Sequence, residues 1–369
     1  MKVLFLIQGE GNGHLTQAIS LFQLLSEEGH EITGAMIGSL NGTKKPAFFT
    51  ESIDCPVYTF KSIGLSYSGQ GKLTVRKTLA HLITTIPDIS TSLQQIHGVV
   101  SQTQPDLIIN FYEVCGGLYN LFFQNQVPVC CIGHQYLLDH PNFRLPDKKF
   151  LHRLGIRLLT KSTAIGAAGT FALSFSDAYR STGRLTVVPP LLRREFTGLR
   201  PEKGNHILVY LTQPRLAREI EKWHRRHPTT TLHCFCNNPL LKNTHQVGDH
   251  LYFHPNDTAT FRRLLQTCRG FVSTAGFESV CEAMLLDKPV MIVPVPNHYE
   301  QACNALDAVL HRIGITSDRF NLDLLLKYLP HHHPRSAQAR IWCAKTKELL
   351  IRPLEQIAGH TAAAEPALI

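Results

Sequence analysis

Short apolar runs of strand length alternate with helix-patterned segments over nearly the whole chain, and that alternation admits few folds: parallel sheets covered by helices. Runs near Val3 to Ile7, Ile32 to Ile37, Leu107 to Asn110 and Val129 to Ile132 read as strands with helices between them. A stretch rich in proline and charge, LTVVPPLLRREFTGLRPEKGNH, then interrupts the pattern as an interdomain linker does. The segment HILVYLTQPRLAREIEKWHRRH restarts it, strand then helix. A strand at Phe271 to Ser273, a helix from about Gly276, a strand at Pro289 to Val293 and a last helix from about Arg335 to Ala358 follow. At 369 residues the chain is long enough for two domains, each with its own core. The predicted class is α/β: two tandem Rossmann-like domains with a cleft between them and a C-terminal helix. Residues 1–190 form the first domain, 191–205 a linker, 206–358 the second domain, and 359–369 a disordered tail.

The first strand runs into three alternating glycines and a histidine, LFLIQGEGNGHLTQA. Glycines after a strand serve tight turns, because glycine takes positive φ without steric cost. A dinucleotide fingerprint needs G-x-G-x-x-G and an acid at the end of the next strand. Here the glycines are Gly9, Gly11 and Gly13, and the second strand ends in Ile37, Gly38 and Ser39 with no carboxylate. NAD binding is therefore disfavoured, and no Gly-Lys-Ser/Thr of a triphosphate P-loop occurs. What remains is His14, at a helix start on the carboxyl edge of a parallel strand, where open α/β sheets bind ligands.

A second constellation lies in FVSTAGFESVCEAMLLDKPVMIVPVPNHYEQACNA, Phe271 to Ala305. A strand ends in Ser273-Thr274, the small pair Ala275-Gly276 lets backbone approach a ligand, and the next helix, from Phe277, presents its N-terminal amides. That is an anion site suited to a diphosphate. Six residues beyond Gly276, Glu282 is placed to accept hydrogen bonds from vicinal ribose hydroxyls, with Ser279 between them. PNHYEQ then brings Glu300 and Gln301 to another helix start, in reach of sugar hydroxyls. Taken singly, Glu282 reads as a solvated helix residue and Gln301 as a cap; the joint spacing points to a ligand.

The formal charge of +9 favours anionic partners, phosphates or acidic lipid, whereas the scattered Lys and Arg residues and the lack of a binding module argue against nucleic acid. The densest basic run, DKKFLHRLGIRLLTK at 147–161, places Phe150, Leu151, Leu154 and Leu158 at helical spacing. It reads as a solvated face or a membrane-surface helix. No segment reaches the roughly 18 apolar residues of a span, and AIGAAGTFALSF from Ala164 reads as buried core. The chain opens on a strand rather than a signal peptide. Its ten cysteines have no zinc-ligand spacing and fit a reducing cytosol, so a cytoplasmic protein, possible at a membrane's inner face, is expected.

The stretch at Phe271 to Ala305 resembles the donor-binding region of GT-B glycosyltransferases, both the bacterial enzyme that adds N-acetylglucosamine to the lipid-linked peptidoglycan precursor and the plant and animal UDP-sugar transferases. The matching residues are Gly276, Ser279, Glu282, Pro289, Glu300, Gln301, Asn304 and Ala305, with Gly11, Gly13 and His14 matching the N-terminal loop of those families. The resemblance implies an inverting, metal-independent transfer of a sugar from a UDP-sugar to an acceptor hydroxyl, lipid-linked or small, without a cofactor. His14 is then the general base and Gly11, Asn12 and Gly13 its loop, in an acceptor-binding first domain. A neutral histidine near pH 7 suits that role. Ser273, Ala275, Gly276, Phe277, Ser279, Glu282, Glu300 and Gln301 hold the donor in the second domain.

The chain departs from the pattern in places. Where many relatives place an aspartate to orient the histidine, this chain has Asn110, with Glu113 three residues on. Either is a candidate orienter. YLTQPRLAR replaces a glycine-rich loop, which makes Thr212, Gln213 and Arg215 candidates for the phosphates, with Arg193 another cation. CCIGHQY places His134 and Gln135 at a strand end, as buried core or acceptor contacts. His331 to His333 read as solvent-exposed. The same fold hosts sugar-nucleotide 2-epimerases and hydrolases, and a non-catalytic sugar-nucleotide-binding protein is a further alternative.

Overall fold

The computed structural model describes residues 1–62, 75–123, 126–146, 150–236 and 241–362, and of 75–86, 151 and 360–362 the backbone alone. The chain divides into two compact units. The first comprises Met1–Phe143, Lys149–Arg193 and Cys343–Ile369, the second Arg144–Lys148 and Arg194–Trp342.

In the first unit the order is β1 (Lys2–Gln8), α1 (Gly13–Glu27), β2 (Glu31–Ser39), α2 (Ala47–Thr50), β3 (Val57–Lys61), α3 (Val75–Thr103), β4 (Leu107–Phe111), α4 (Val114–Phe123), β5 (Val129–Gly133), α5 (Phe150–Thr163), β6 (Gly169–Leu173) and β7 (Leu185–Val188). The strands form a parallel sheet in the order β3-β2-β1-β4-β5-β6-β7. Val3 to Ile7 and Leu107 to Ile109 are wholly buried, which is why these strands read as continuous apolar runs: helices cover both faces of a parallel sheet. Strand order reverses between β1 and β4, so the connections leaving their carboxyl ends diverge and open a crevice there.

The second unit runs α6 (Arg194–Thr197), β8 (Ile207–Leu211), α7 (Ala217–His224), β9 (Leu232–Cys236), β10 (His245–Val247), β11 (Leu251–His254), α8 (Thr258–Thr267), β12 (Gly270–Ser273), α9 (Phe277–Leu285), β13 (Val290–Ile292), α10 (Tyr299–Leu310), β14 (Gly314–Thr316), α11 (Leu322–Tyr328) and α12 (Ser336–Cys343). Its sheet has the order β10-β11-β9-β8-β12-β13-β14, parallel except for β10 against β11. The reversal falls between β8 and β12. One face packs Val209, Leu211, Val272 and Met291 with Leu216, Ile220 and Trp223. The expected α/β class with two Rossmann-like domains is the observed one.

Several expectations need correction. The last helix is not one element of the second domain. After α12 the chain takes a π-helical turn at Lys347–Ile351 and continues as α13 (Arg352–Ala362) in the first unit. Leu350, Ile351, Leu354 and Ala358 are buried there, His30 Nε2 lies 2.9 Å from Glu355 Oε1, and Lys347 Nζ 2.5 Å from Glu28 Oε2. An amphipathic stripe shows that a face is covered without showing by what. The helix also passes the expected boundary at 359; the tail from 363 lies outside the described residues. In α5, read as a solvated face or a membrane-surface helix, Ile156, Thr160 and Thr163 face inward, while Phe150, Leu154 and Leu158 are 75%, 44% and 58% exposed. Lys148 and Lys149 of that basic run lie outside the described residues. The segment from Ala164 contributes β6 to the core, and all ten cysteines are free. His332 is half-buried rather than solvent-exposed and meets the Asp287 carbonyl at 3.1 Å.

Candidate active site

One candidate site, in the first unit, lies where β1 and β4 part. β1 ends at Gln8, and Gly9 N donates to Gly38 O at 2.7 Å. Only glycine fits there, since a Cβ on Gly9 would sit 2.6 Å from that carbonyl. Gly11 takes φ +87°, which turns the chain toward α1. The loop is latched from outside: Lys44 Nζ donates to Gly9 O and, at 3.4 Å, to Gly11 O, and Glu10 Oε1 accepts from Leu40 N at 3.1 Å. Desolvation lowers the Lys44 pKa. Asn12 begins α1 without capping it by its side chain; its carbonyl receives Thr16 N and Thr16 Oγ1, both at 2.9 Å.

His14 is buried in the first turn of α1. Its Nδ1 lies 3.2 Å from Gln17 Oε1, its Nε2 lies 3.4 Å from Gln135 Nε2, and its ring stacks on Tyr112 at 5.6 Å and 16°. Space over Gly11 and Gly13 is open, with nothing within 4 Å of a Cβ on either. Tyr112 has φ +59°, a left-handed conformation unusual for an aromatic residue, and its hydroxyl meets Thr160 Oγ1 at 2.7 Å.

Neither proposed orienter hydrogen-bonds to His14. Asn110 is spent on the turn after β4: its Oδ1 accepts from Glu113 N at 2.8 Å and its Nδ2 donates to Glu113 O and Thr163 O. Glu113 is wholly buried. Its Oε1 accepts from Ser62 Oγ at 2.5 Å and Cys115 N at 3.1 Å, while Oε2 lies against Gly38 with no hydrogen-bond partner. Burial pushes its pKa up to about 7 against the opposing effect of those donors. Of the pair after β5, Gln135 reaches His14. His134 instead meets Leu173 O at 2.8 Å through Nδ1 and packs edge-on against Phe175, a core histidine.

A second candidate site, in the second unit, lies where β8 and β12 part. Thr274 Oγ1 donates to Thr212 Oγ1 at 3.1 Å and accepts from Thr212 N at 3.2 Å, tying the two strand ends together. Ser273 Oγ and Ser279 Oγ are 3.3 Å apart. Ala275 takes φ +51°, and Asn304 Nδ2 holds its carbonyl at 3.1 Å. Gly276 then begins α9 with no side-chain cap, so the first-turn amides, from Phe277 on, are not capped by that residue. Glu282 is buried in α9 rather than solvated, as is Glu278. Gln301 sits beyond the His298 cap of α10, and its Oε1 accepts from Val295 N at 2.8 Å, fixing the loop that leads into the first turn of α10, where Glu300 stands. Gln213 Oε1 is buried without a partner beside Thr212, Arg215 is exposed in the following turn, and Arg193 is half-buried at the end of the first unit.

The groups that the sequence reading missed are Gln17, Tyr112 and Lys44. Gln17 had a signal, since residues three apart share a helix face; Tyr112 and Lys44 meet the loop only through tertiary structure. Among the described residues no three His, Cys, Asp or Glu are grouped to hold a metal ion, and no helix is long and apolar enough to cross a membrane.

Comparison with known proteins agrees with this fold. Residues 1–330 match the family model of glycosyl transferase family 1. No curated protein sequence matches significantly. Among solved structures, the calicheamicin glycosyltransferase CalG4 is similar with a TM-score of 0.61 and 15% identity, over 99% of each chain. The glycosyltransferase VinC, in complex with dTDP, gives 0.59 and 15% over 98% of this chain and 100% of its own. LpCGTa, in complex with UDP, gives 0.59 and 15% over 98% and 99%.

Proposed function

The chain belongs to glycosyl transferase family 1, and from that membership we propose that it moves a sugar from a UDP-sugar to an acceptor hydroxyl with inversion, His14 being the general base. The observation that carries this reading is the setting of His14 at the parting of β1 and β4. It is buried, braced by Gln17, Gln135 and Tyr112, and follows Gly11 and Gly13, at which the space a side chain would take is open. The second unit carries its own candidate site, for the donor. The first turn of α9 meets the diphosphate, whose charge grows as it leaves, and helix amides stabilise that charge without a metal. Glu282 takes the ribose hydroxyls and Glu300 with Gln301 the sugar; Thr212, Gln213, Arg215 and Arg193 are the phosphate candidates. UDP in LpCGTa and dTDP in VinC support a pyrimidine nucleoside diphosphate.

His14→Ala tests the assignment. Loss of a general base costs about 10²- to 10⁴-fold in turnover, while UDP affinity, set in the second unit, stays close to wild type. Turnover within a few-fold of wild type removes His14 as base; lost UDP binding reassigns the loop to holding donor or fold.

A peripheral position on an anionic membrane is a further part of the proposal. The outward face of α5 carries the exposed Phe150, Leu154 and Leu158 together with Arg153 and Lys161, with the half-buried Arg157 turned toward Leu138 O, and the helix has no acidic residue. Asp139 offsets part of the charge at Arg157 and Lys161. An apolar stripe flanked by cations suits an acidic lipid surface, at which a lipid-linked acceptor would be met.

A further inference from the structure

Two amide side chains meet the His14 ring edge, and each has one chemical option at the atom it offers. Gln17 Oε1, 3.2 Å from Nδ1, only accepts, so Nδ1 carries the proton. Gln135 Nε2, 3.4 Å from Nε2, only donates, so Nε2 offers its lone pair. One amide comes from α1 itself and the other from the turn after β5, and both require the same neutral tautomer. The stacked Tyr112 ring, anchored through its hydroxyl to Thr160, fixes the imidazole plane.

Resting on the reading of His14 as base, we propose that Gln17 and Gln135 are positioning residues which hold His14 in the Nδ1-protonated tautomer, a neutral amide standing where a dyad has its carboxylate. Nε2 is then the basic atom. The Gln135 N–H occupies its lone pair until an acceptor hydroxyl takes that place, and Gln135 is released to the acceptor. In the transfer the acceptor O–H bond breaks and its proton bonds to Nε2. The oxygen's electron pair forms the new bond to the anomeric carbon, whose bond to the diphosphate oxygen breaks and leaves its pair with the nucleotide. The imidazolium afterwards returns the proton to water. An amide oxygen carries only a partial negative charge, so Gln17 stabilises that imidazolium less than a carboxylate would. A carboxylate at position 17 therefore raises the pH at which His14 titrates.

The test is nitrogen NMR of the full chain labelled with ¹⁵N-histidine, the His14→Ala spectrum identifying the signal, beside UDP release from UDP-glucose with water as acceptor across pH. The wild type is expected to show an unprotonated Nε2. In Gln17→Leu that preference is lost and UDP release falls by about tenfold to a hundredfold, the cost of a misplaced catalytic group. In Gln17→Glu the titration midpoint of His14, and with it the acid limb of UDP release, rises by about one to three pH units. A protonated Nε2 in the wild type, or an unmoved midpoint in a folded Gln17→Glu, overturns the inference. If His14→Ala releases UDP as fast as wild type, the base reading falls instead, and the nitrogen signals still decide the tautomer.

Discussion

Replacing Glu113 by glutamine removes a proton-binding group from the middle of the first unit, and the consequence has a definite sign. Burial lifts its pKa from an ordinary 4.5 to about 7, so the folded chain holds this proton more tightly than the unfolded chain does. The contribution is therefore complete below pH 4.5 and is lost as pH rises through 7. At about 1.4 kcal/mol per pH unit between the two values, the loss is about 3 kcal/mol. Glutamine can still accept from Ser62 Oγ and Cys115 N, and its amide takes the space of Oε2 beside Gly38. Wild type and Glu113→Gln should thus differ little at pH 4.5, with the variant gaining by up to about 3 kcal/mol at pH 8. Tryptophan fluorescence is the wrong probe, because Trp223 and Trp342 both belong to the second unit. Amide hydrogen exchange in β1 and β4 reads the opening free energy where Glu113 sits. Taking the difference between the two proteins cancels every other titrating group. A difference that is flat from pH 4.5 to 8, or a wild type that gains on the variant as pH rises, refutes the argument.

Glu282→Ala should weaken UDP binding by roughly 1.5 to 3 kcal/mol, the worth of hydrogen bonds to a charged group; calorimetry on the folded variant decides, and unchanged affinity removes Glu282 from the ribose. Ala275→Gly should stabilise the second unit by up to about 1 kcal/mol, because glycine adopts φ +51° without the steric cost that alanine bears. Tryptophan-monitored denaturation checks it, and a destabilised variant would place the strain elsewhere. Charge reversal of Arg153, Arg157 and Lys161 should abolish cosedimentation with anionic vesicles, at about 1 kcal/mol per cation removed from the surface. Equal sedimentation with neutral and anionic vesicles would return α5 to an ordinary solvated helix.

The two-sheet plan was legible because strands covered on both faces are apolar without interruption, as in Val3 to Ile7, and because glycine loops mark where strands feed helices. Gly9 and Gly11 are examples, one glycine for close approach and one for its φ. Less legible was anything decided by a partner far away in sequence. The last helix was legible as a helix but not the unit it returns to, and α5 showed a helical spacing of large apolar residues that points to solvent. Asn110 and Glu113 looked like orienters because Asn110 stands where many relatives have an orienting aspartate and Glu113 follows closely, yet the tight turn after β4 consumes Asn110 and buries Glu113. Tyr112 between them projects to the imidazole.

The two candidate sites place their strain alike. In each sheet the strand beside the first one, across the reversal of order, is followed within two residues by a non-glycine residue with positive φ: Tyr112 after β4 and Ala275 after β12. Such a conformation costs about 1–3 kcal/mol and persists only where its surroundings over-determine it. Each is held by a side chain from another helix, Thr160 of α5 on the Tyr112 hydroxyl and Asn304 of α10 on the Ala275 carbonyl. At the first position the turn brings an aromatic ring against His14; at the second it aims the start of α9 away from β12. Both anchors lie on helices that the strained residue reaches only in the folded unit. The cost is therefore met by tertiary packing, and each candidate site is shaped before a ligand arrives.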